Sequence, residues 1–520
     1  MTPLTTMTDE SHAATVTIGQ APATPHPACY SRSARRKSGC PHAAAFDPGA
    51  HYSRLFQGDF AEHSEITLRA LAKVMEGEGG RDDAKGTPSG IVYLGQFIAH
   101  DITRDRTPLS KAPFPTPETT RNERTPLLEL DSVYGSGPVG AAIEPGGDYQ
   151  IYSQPRPGEE IFRLGPTEPA VVRGVPFPSK EIDFPRRSDQ SPIIPDDRND
   201  DNLILAQLHA LFLRFHNKLL PLIVEGSVVP VPDGATPFEK TRRLVTWHYQ
   251  RLVREYFLPM VVLQSVLDDI KANGPKLFKP ESTKDLSLPV EFTMAAFRFG
   301  HSMVHETYFI NETHALSAKD ILNRGDRPLR ADYVLDWVRF VGSGRIANVA
   351  QKINTTISTA LFGLSDPMVI RYKDNSDGVS EASLPVRSLM RGSKARLPSG
   401  QEACALAETL AGTPFIGVDA SHPHHAFLES SGLLDRLPLW YYILHEANVA
   451  GVDESLSVPS REGGCRLGPL GSRIVAEVLL GLLKVDEDAY AEGWEPPELR
   501  FPNGSLKRIT SLGRLAEYVS

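Results

Sequence analysis

The segment PDDRNDDNLILAQLHALFLRFHNKLLPLI, residues 195–223, decides the fold because a charged turn leads directly into a long apolar stretch. Apolar residues recur there at every third or fourth position, which predicts a helix over 203–223 with one buried face. That face consists of Ile204, Leu208, Leu211, Phe215 and Leu219. The residues able to cap this helix and complement its dipole are Asn199, Asp200 and Asp201. Arg198 precedes them, at the entrance of a helix that we expect to be buried.

Apolar stretches on both sides of this segment predict further helices, separated by long loops. The predicted helices cover 51–75, 91–103, 241–258 (ended by Pro259), 288–305 and 467–484. The 41 glycines and 43 prolines predict ordered loops between these helices. A short hairpin is predicted around GEEIFRLG, residues 158–165. We therefore expect a mainly α-helical fold with long ordered loops and little β structure.

Composition excludes several classes of protein. The 520 residues, 40% apolar and 23% charged, are typical of a globular chain. A net charge of −9 disfavours nucleic acid as a partner, because nucleic-acid-binding surfaces are basic. No apolar run reaches the roughly 18 residues that a transmembrane helix needs. No linker divides residues 46–520, which we expect to form one large domain after a disordered tail at 1–45.

The N-terminus and the cysteines say little about compartment. Residues 1–25 lack the apolar core of a secretory signal and carry Asp9 and Glu10 in its place. We expect a cytoplasmic protein by default, with export by a route that reads no N-terminal signal as the alternative. The four cysteines form no C-x-x-C pair, so neither a zinc ribbon nor a thiol redox motif is predicted.

Two of the 16 histidines stand out by their surroundings. His100 lies in GQFIAHD (95–101), inside an apolar helix with Gln96 one turn earlier. His301 lies in AAFRFGHSMVHE (295–306), directly after a glycine. A single histidine on an apolar helix is more commonly a packed core side chain than a catalytic group. The pair gains meaning only together with the arginine at position 198.

Three chemistries compete for these residues. His301 and His305, four apart, could hold zinc with Glu306 or another acid, although the H-E-x-x-H base is missing. A serine hydrolase is disfavoured because no G-x-S-x-G turn occurs. Haem chemistry with peroxide needs an axial nitrogen, an acid–base group and a cation. Two distant histidines and one buried arginine meet that need.

Several motifs, taken together and in order, resemble the animal-type haem peroxidases of the peroxidase–cyclooxygenase superfamily, most of all their bacterial single-domain members. The motifs are GQFIAHD, VYGS (133–136), RNDDN (198–202) ahead of H-x6-H-N (209–217), AFRFGH (296–301), LPSGQ (397–401) and LGPLGSRIVAEVLLGLL (467–483). The resemblance covers about 60–510. It implies a mainly α-helical fold around haem b, hydrogen peroxide as oxidant and small molecules as electron donors.

The resemblance assigns roles to individual residues. His100 matches the distal acid–base histidine, Gln96 the glutamine that lines the distal pocket, and Arg198 the distal arginine. His301 matches the proximal iron ligand. Arg298 matches a cation that pairs with a haem propionate.

Other positions depart from the family pattern or match it less closely. Ala99 stands where mammalian members carry an aspartate esterified to haem, and Asp201 replaces a second ester-forming glutamate. We therefore expect haem held mostly or wholly without covalent bonds, and little activity toward chloride. Ser388 stands where the family places an asparagine against the proximal histidine. Arg391 matches an arginine near the haem edge.

The resemblance also implies a structural calcium ion. Asp101 follows the distal histidine and points away from the haem side, where the family binds Ca²⁺ together with a downstream loop. Oxygen ligands suit this hard cation. In this sequence the set is Asp101, Thr125, Leu127, Glu129 and Asp131. A charged surface turn is the alternative interpretation.

These observations favour a haem b peroxidase that reduces hydrogen peroxide, as in a response to oxidative stress. The expected donors are aromatic, with bromide, iodide or thiocyanate as further candidates. Two alternatives share the scaffold: a fatty-acid dioxygenase and a non-catalytic haem-binding protein. The dioxygenases need a tyrosine three residues before the proximal histidine, where this chain has Arg298. Tyr93 or Tyr134 could supply a tyrosine from elsewhere.

Overall fold

The computed structural model confirms the mainly helical fold. It describes residues 51–77, 83–135, 137–138, 151–153, 156, 158–229, 231–284, 286–342, 346–364, 381–454 and 462–520. The tail predicted at 1–45 lies outside these ranges. Among the residues described, no helix is both long and apolar enough to cross a bilayer.

The α-helices follow the apolar periodicity of the sequence. They are α1 (Glu65–Met75), α2 (Gly90–Ile102), α3 (Asp131–Tyr134), α4 (Leu203–Val224), α5 (Pro237–Arg251), α6 (Leu258–Val261), α7 (Gln264–Asn273), α8 (Val290–Met294), α9 (Ala318–Leu322), α10 (Val338–Val341), α11 (Leu384–Lys394), α12 (Gly400–Ala411), α13 (His425–Ser430), α14 (Leu439–Ala450), α15 (Pro469–Val485) and α16 (Leu512–Val519). Short 3-10 segments cover Pro117–Thr119, Asp197–Asp200, Ala296–Met303, Ala331–Tyr333 and Thr359–Leu361.

The β structure consists of short strands in two-stranded sheets. The pairs are β1 (Glu76–Gly77) with β12 (Ile357–Ser358), β2 (Asp83–Pro88) with β11 (Val349–Gln351), β3 (Tyr152–Ser153) with β4 (Ile161–Phe162), β5 (Gly165–Pro166) with β8 (Glu181–Asp183), β6 (Ala170–Val172) with β7 (Val175–Phe177), β9 (Thr307–Phe309) with β10 (Ala315–Ser317), and β13 (Leu499–Arg500) with β14 (Leu506–Lys507). All are antiparallel except the parallel pair β1 and β12. The predicted hairpin corresponds to β3 and β4, where Tyr152 pairs with Phe162.

Three predicted helices differ from the structure. The first helix begins at Glu65 and not at 51, because residues 51 and 53 form isolated bridges to Arg121 and Pro289. The helix predicted over 288–305 is α8 followed by a 3-10 segment, since the backbone breaks at Ala295 (φ −132°, ψ −76°).

The helix predicted to end at Pro259 continues to Val261. A π-helical turn, Leu252–Phe257, follows α5, and Pro259 then lies in the first turn of α6. The helix is continuous through this point, since the Leu258 N–H donates to the Val253 carbonyl, so the proline is accommodated directly after the π-helical turn. The end predicted at Pro259 was therefore wrong.

Aromatic packing fixes the two helices that hold the motifs. Phe97 of α2 stacks on Phe212 of α4, with ring centroids 5.1 Å apart and planes at 5°. Tyr249 of α5 meets both rings edge-on, at 6.0 Å and 5.9 Å. These rings are fully or almost fully buried in one hydrophobic cluster that runs from Tyr52 to Val519. The contact sets the position of His100, which lies one turn beyond Phe97.

A glycine permits the close approach of α12 and α14. A Cβ atom at Gly400 would lie 2.2 Å from Cγ of Tyr442, whose ring is fully buried. The Tyr442 hydroxyl also accepts a hydrogen bond from the Ile416 N–H at 3.1 Å, so the ring has little room to move. The glycine of the LPSGQ motif is therefore a packing requirement.

We predict that Gly400→Ala lowers the free energy of unfolding by about 1–3 kcal/mol, because the added methyl overpacks a buried contact. Chemical denaturation would measure it. Gly363→Ala is the control, since no heavy atom lies within 4 Å of its Cβ position, and its change should stay below about 0.5 kcal/mol. Equal stability changes in both variants would contradict the prediction.

Candidate active site

A cavity of about 260 Å³ lies between α2, the 3-10 segments Asp197–Asp200 and Ala296–Met303, and α11. Residues far apart in sequence meet at its wall. The predicted site residues that line it are Gln96, His100, Arg198, Asp201, Arg298, His301 and Arg391. The structure thus brings together the two histidines and the arginine singled out by the sequence.

The orientation of His100 is set by a neighbouring amide. Nδ1 of His100 lies 3.0 Å from Oδ1 of Asn199, and Nδ2 of Asn199 lies 3.0 Å from Nδ1 of His209. An amide oxygen only accepts hydrogen bonds and an amide nitrogen only donates them. The His100 nitrogen that contacts the amide oxygen, Nδ1, therefore carries the proton. Nε2 of His100 is then the basic nitrogen. Burial, followed by Arg198, lowers the pKa of His100 to about 3, so the ring is neutral near pH 7.

Arg198 is held by two bonds to one buried carboxylate. Its Nε and Nη2 donate to the two oxygens of Asp196, at 2.9 Å and 2.7 Å. Nη2 also donates to the backbone oxygen of His100 at 2.9 Å. Arg104 and Arg124 donate to the same carboxylate. Although burial opposes it, the attraction of three guanidinium groups holds the pKa of Asp196 well below its usual range.

His301 lies on the 3-10 segment Ala296–Met303. Its Nδ1 is 3.4 Å from Oγ of Ser388 on α11, which leaves Nε2 as the nitrogen available to the cavity. Burial lowers the pKa of His301 to about 3, and the neighbouring Arg298 and Arg387 act in the same direction. Trp440 of α14 meets the imidazole edge-on at 5.9 Å. This second histidine is therefore also neutral.

Cations and open space adjoin His301. In a 3-10 helix residues three apart eclipse each other, which places Arg298 beside His301 at the cavity wall. Nη1 of Arg298 donates to Ser388 Oγ at 3.3 Å, and Arg391 forms an ion pair with Asp105. A Cβ atom at Gly300 would have a single neighbour within 4 Å, Val92 Cγ1 at 3.9 Å, so the glycine leaves room on the cavity side.

The cap of α4 differs from the prediction. Asn202 caps the helix by accepting the Leu205 N–H at 2.8 Å, whereas Asn199, Asp200 and Asp201 were expected to do so. Those three residues precede the cap and are needed elsewhere. Asn199 holds His100, Asp200 forms a bidentate ion pair with Arg186, and Asp201 lines the cavity. The Asn202 amide also donates to Oε1 of Gln96 at 3.1 Å, joining α4 to α2.

The acids predicted to bind calcium converge behind α2. The Asp101 carboxylate accepts the N–H groups of Leu130 and Ser132, at 3.1 Å and 3.2 Å. The Thr125 hydroxyl contacts Glu129 and Asp131, at 2.6 Å and 2.7 Å. Burial, followed by the nearby Asp131 and, more weakly, Glu129, raises the pKa of Asp101 to about 7. Leu127 is fully buried in the same loop.

The zinc alternative was wrong. The 3-10 segment ends at Met303, so His305 does not continue the helix face of His301. Its Nε2 lies 3.5 Å from Asp83, outside the cavity. Within the described ranges, no group of three or more His, Cys, Asp or Glu side chains is arranged to hold a metal ion.

Sequence reasoning missed Asn199 as a contact of His100, and it missed Asp196, His209 and Trp440 entirely. Asn199 and Asp196 were hidden in a charged turn where acids and amides are expected to cap a helix. His209 occurs in the quoted H-x6-H-N motif, two turns into α4, and that position was the available signal. Trp440 lies on α14, to which no function had been assigned.

Comparisons with known proteins identify the family to which the chain belongs. The family model described as animal haem peroxidase matches residues 99–371. Peroxidase mlt-7 of Caenorhabditis elegans is 34% identical over 105 residues, covering 20% of this chain and 14% of that protein. Peroxinectin A of Dictyostelium discoideum is 29% identical over 180 residues, 32% of each chain. The chain thus spans a third or less of the length of these relatives.

Two solved structures share the fold. Peroxidase A from Dictyostelium discoideum has a TM-score of 0.55 and 16% identity, over 86% of this chain and 89% of that one. Fatty acid alpha-dioxygenase of Oryza sativa has a TM-score of 0.57 and 11% identity, over 92% and 80%. At this identity the likeness concerns the fold alone. The family model, in contrast, spans more than half of the 520 residues, and the chain therefore belongs to the animal haem peroxidase family.

Proposed function

We propose that this chain is a haem b peroxidase that reduces hydrogen peroxide and oxidises small aromatic donors. The observation that carries the proposal is that two neutral histidines from separate elements, His100 and His301, line one cavity with the cation Arg198. Family membership implies haem binding. A neutral imidazole is the form that binds iron, and a second neutral imidazole is the form that accepts a proton.

The residues at the cavity fit a haem. Nε2 of His301 would bind the iron, and the open side of Gly300 would admit the flat macrocycle. Arg298 and Arg391 would face its propionates, since guanidinium groups bind carboxylates. Asp201 is expected to lie near the haem edge without forming an ester. When bound, haem supplies the iron that coordinates peroxide and takes up its oxidising equivalents.

His100 would move the proton. Because Asn199 keeps the ring protonated at Nδ1, the Nε2 atom can take a proton from one oxygen of hydrogen peroxide and give it to the departing oxygen. A depressed pKa makes the ring quick to release that proton. Gln96, one turn earlier on α2, would help to orient peroxide at the same wall.

Arg198 would supply a fixed positive charge. The O–O bond breaks with negative charge developing on the departing oxygen, and a preorganised cation stabilises that charge. Its two bonds to Asp196 and one to the His100 carbonyl keep the guanidinium in place before peroxide arrives. The protein therefore has no reorganisation cost at this position during the reaction.

The iron side of the site is less strongly supported. A serine hydroxyl is a weaker partner for a ligating imidazole than a carboxylate or an amide, and Ser388 also accepts from Arg298. Together with the lack of ester-forming side chains at Ala99 and Asp201, this favours a moderate oxidant. We therefore propose aromatic donors, and bromide, iodide or thiocyanate, over chloride.

One observation favours a second candidate function, fatty-acid oxygenation. Tyr52 and Tyr93 line the cavity, whereas Tyr134 bonds to His216 outside it. An oxidised tyrosine could abstract hydrogen from a lipid that enters along the apolar wall near Phe297. The position three residues before His301 nevertheless holds an arginine, which favours the peroxidase. Product analysis with a long-chain fatty acid and oxygen, started by a trace of hydrogen peroxide that oxidises the tyrosine through the haem, separates the two functions.

We further propose that Asp101, Glu129 and Asp131, with the Thr125 hydroxyl and the backbone at Leu127, bind calcium by a rearrangement of their side chains, which in the structure are not arranged around a metal ion. The three carboxylates are buried, and burial, followed by the negative charge of Asp131, raises the pKa of Asp101. A divalent cation would neutralise that charge with oxygen ligands alone. It would tie the loop before α3 to α2, next to His100.

Two variants separate haem binding from proton transfer. We expect His301→Ala to lose the Soret band of haem, because the other imidazole among the described residues of the cavity wall, His100, is held by Asn199. We expect His100→Ala to retain haem but to reduce hydrogen peroxide about 10²–10⁴-fold more slowly. Stopped-flow absorption after addition of peroxide measures both effects.

The two variants also serve as each other's controls. A His100→Ala protein that reacts with peroxide as fast as wild type would overturn the proton-transfer role. An unchanged spectrum for His301→Ala would remove it as iron ligand. A haem-loaded wild-type protein that is inert to peroxide would favour the non-catalytic haem-binding alternative.

We expect Asn199→Leu to slow peroxide reduction by about 10–100-fold, because the His100 ring then loses the partner that fixes its protonated nitrogen. The matched control is Asn217→Leu on α4, whose amide bonds to the Phe162 backbone outside the cavity. Both variants remove buried hydrogen bonds, so both should be less stable. Equal rates of peroxide reduction in the two proteins would refute the positioning role of Asn199.

We expect exhaustive chelation to lower the melting temperature of the haem-loaded protein by at least about 2 °C, because a bound cation stabilises the folded state. Calcium should restore it and magnesium should not. In Asp131→Asn, which removes one ligand charge, the same chelation should have a smaller effect. An unchanged melting temperature in the wild type would speak against calcium.

A further inference from the structure

A second pocket, of about 560 Å³, lies on the outer side of α9. The residues that matter for its chemistry are Glu168, Asp320, Arg324, Arg327, Arg330 and Tyr333. Leu322, on the other side of the same short helix, lines the central cavity. The two cavities are therefore neighbours separated by α9, and no function has been assigned to the outer one.

The three arginines of the pocket are not equivalent. Arg330 is paired, with Nε and Nη2 donating to the two oxygens of Asp332 at 3.0 Å and 2.8 Å. Arg324 lies over the Tyr333 ring at 4.9 Å and donates to the Pro328 carbonyl at 3.1 Å. Within the part of the chain that the structure describes, neither Arg324 nor Arg327 forms an ion pair within 4 Å. Two guanidinium groups thus line the pocket without a carboxylate in direct contact, although Glu168 and Asp320 line it too.

The nearby acids offset these charges only from a distance. Asp320 accepts the hydroxyl of Ser317 at 2.6 Å at the start of α9. Glu168 is exposed and, within the described ranges, forms no ion pair within 4 Å with either guanidinium. Burial lowers the pKa of Arg324; Arg327 and Arg330 act in the same direction, and Tyr333 and Glu168 oppose them. An anion in the pocket would relieve this repulsion.

Backbone hydrogen bonds to buried acids fix the turn that carries the two arginines. Asp326 adopts a left-handed conformation (φ 58°), and its N–H donates to Asp200 Oδ2 at 2.9 Å. The Leu329 N–H donates to Asp183 Oδ2 at 2.9 Å, and Arg186 bridges both acids. A ligand would therefore meet guanidinium groups whose backbone is already fixed, which lowers the entropic cost of binding.

We propose that this pocket binds a small multivalent oxyanion, a phosphate or carboxylate compound, through Arg324 and Arg327. Guanidinium groups present parallel N–H donors that match the oxygens of both anions. The pocket volume admits a molecule larger than a single phosphate. This inference does not depend on the reaction proposed for the central cavity.

The test is calorimetric titration of the haem-loaded protein with pyrophosphate and, separately, with citrate at low ionic strength. The protein is loaded with haem so that the arginine-lined central cavity is filled and the probes do not bind there. Wild type should bind at least one of the two probes, and the preferred probe distinguishes a phosphate from a carboxylate ligand. Arg327→Gln, an exposed position, should weaken binding by about tenfold or more, the effect of one charged hydrogen-bonding group.

The matched control is Lys319→Gln, which removes an exposed cation from α9 without touching the pocket wall. Its affinity should stay within about twofold of wild type. Equal losses in the two variants would mean that the anion senses only general charge and would overturn the site. Absence of binding for both probes up to about 10 mM would also overturn it. Circular dichroism of Arg327→Gln verifies that lost binding is not lost structure.

Discussion

One buried carboxylate organises the charged side of the central cavity. Asp196 is fully buried and receives hydrogen bonds from Arg104, Arg124 and Arg198. An isolated charge at such depth would cost several kcal/mol, and so would any of these guanidinium groups alone. The cluster is stable only as a whole, and its members come from the loop after α2 and from the turn before α4. The position of Arg198 is therefore a consequence of folding and requires no ligand.

A second set of contacts, between neutral groups, fixes the orientation of the His100 ring. The side-chain amide of Asn199 is hydrogen-bonded both to His209, inside α4, and to His100, on α2. With the amide oxygen on His100 and the amide nitrogen on His209, the His100 ring carries its proton on Nδ1, and Nε2 is the basic nitrogen. The aromatic stack of Phe97 on Phe212 keeps the two helices at the distance that these hydrogen bonds need. The same helix pair thus sets both the packing and the tautomer of His100.

The sequence predicted what depends on periodicity and missed what depends on the local hydrogen-bond pattern. The ranges 91–103 and 203–223 agree with α2 and α4 to within one residue, because a long apolar stripe has one helical solution. The same stripe does not distinguish an α-helix from the 3-10 segment that carries His301 or the π turn at Leu252–Phe257.

The residues of the candidate site could be predicted only in part, because their roles also depend on local hydrogen bonds. His100 and His301 could be found because histidine is unusual in an apolar stretch, and Arg198 because it stands at the entrance of an apolar helix; the structure brings the three to one cavity. Asp196 and Asn199 stand among residues that normally cap helices, so their sequence context pointed to a different role. The cap itself, Asn202, became identifiable only once the start of α4 was known. What decided these roles was side-chain direction, and one sequence does not contain it.

The side chains on the two walls of the cavity are held by hydrogen bonds of unequal strength. On the His100 side, charge-assisted bonds of 2.7–2.9 Å hold the arginine, and amide contacts of 3.0 Å hold the imidazole. On the His301 side, the imidazole has one neutral partner at 3.4 Å, shared with Arg298. In the function proposed above, a rigid acid–base wall would favour rapid cleavage of peroxide, whereas a weakly supported iron ligand would donate less charge to the metal. We therefore propose that the enzyme reacts readily with peroxide and oxidises donors that give up electrons easily.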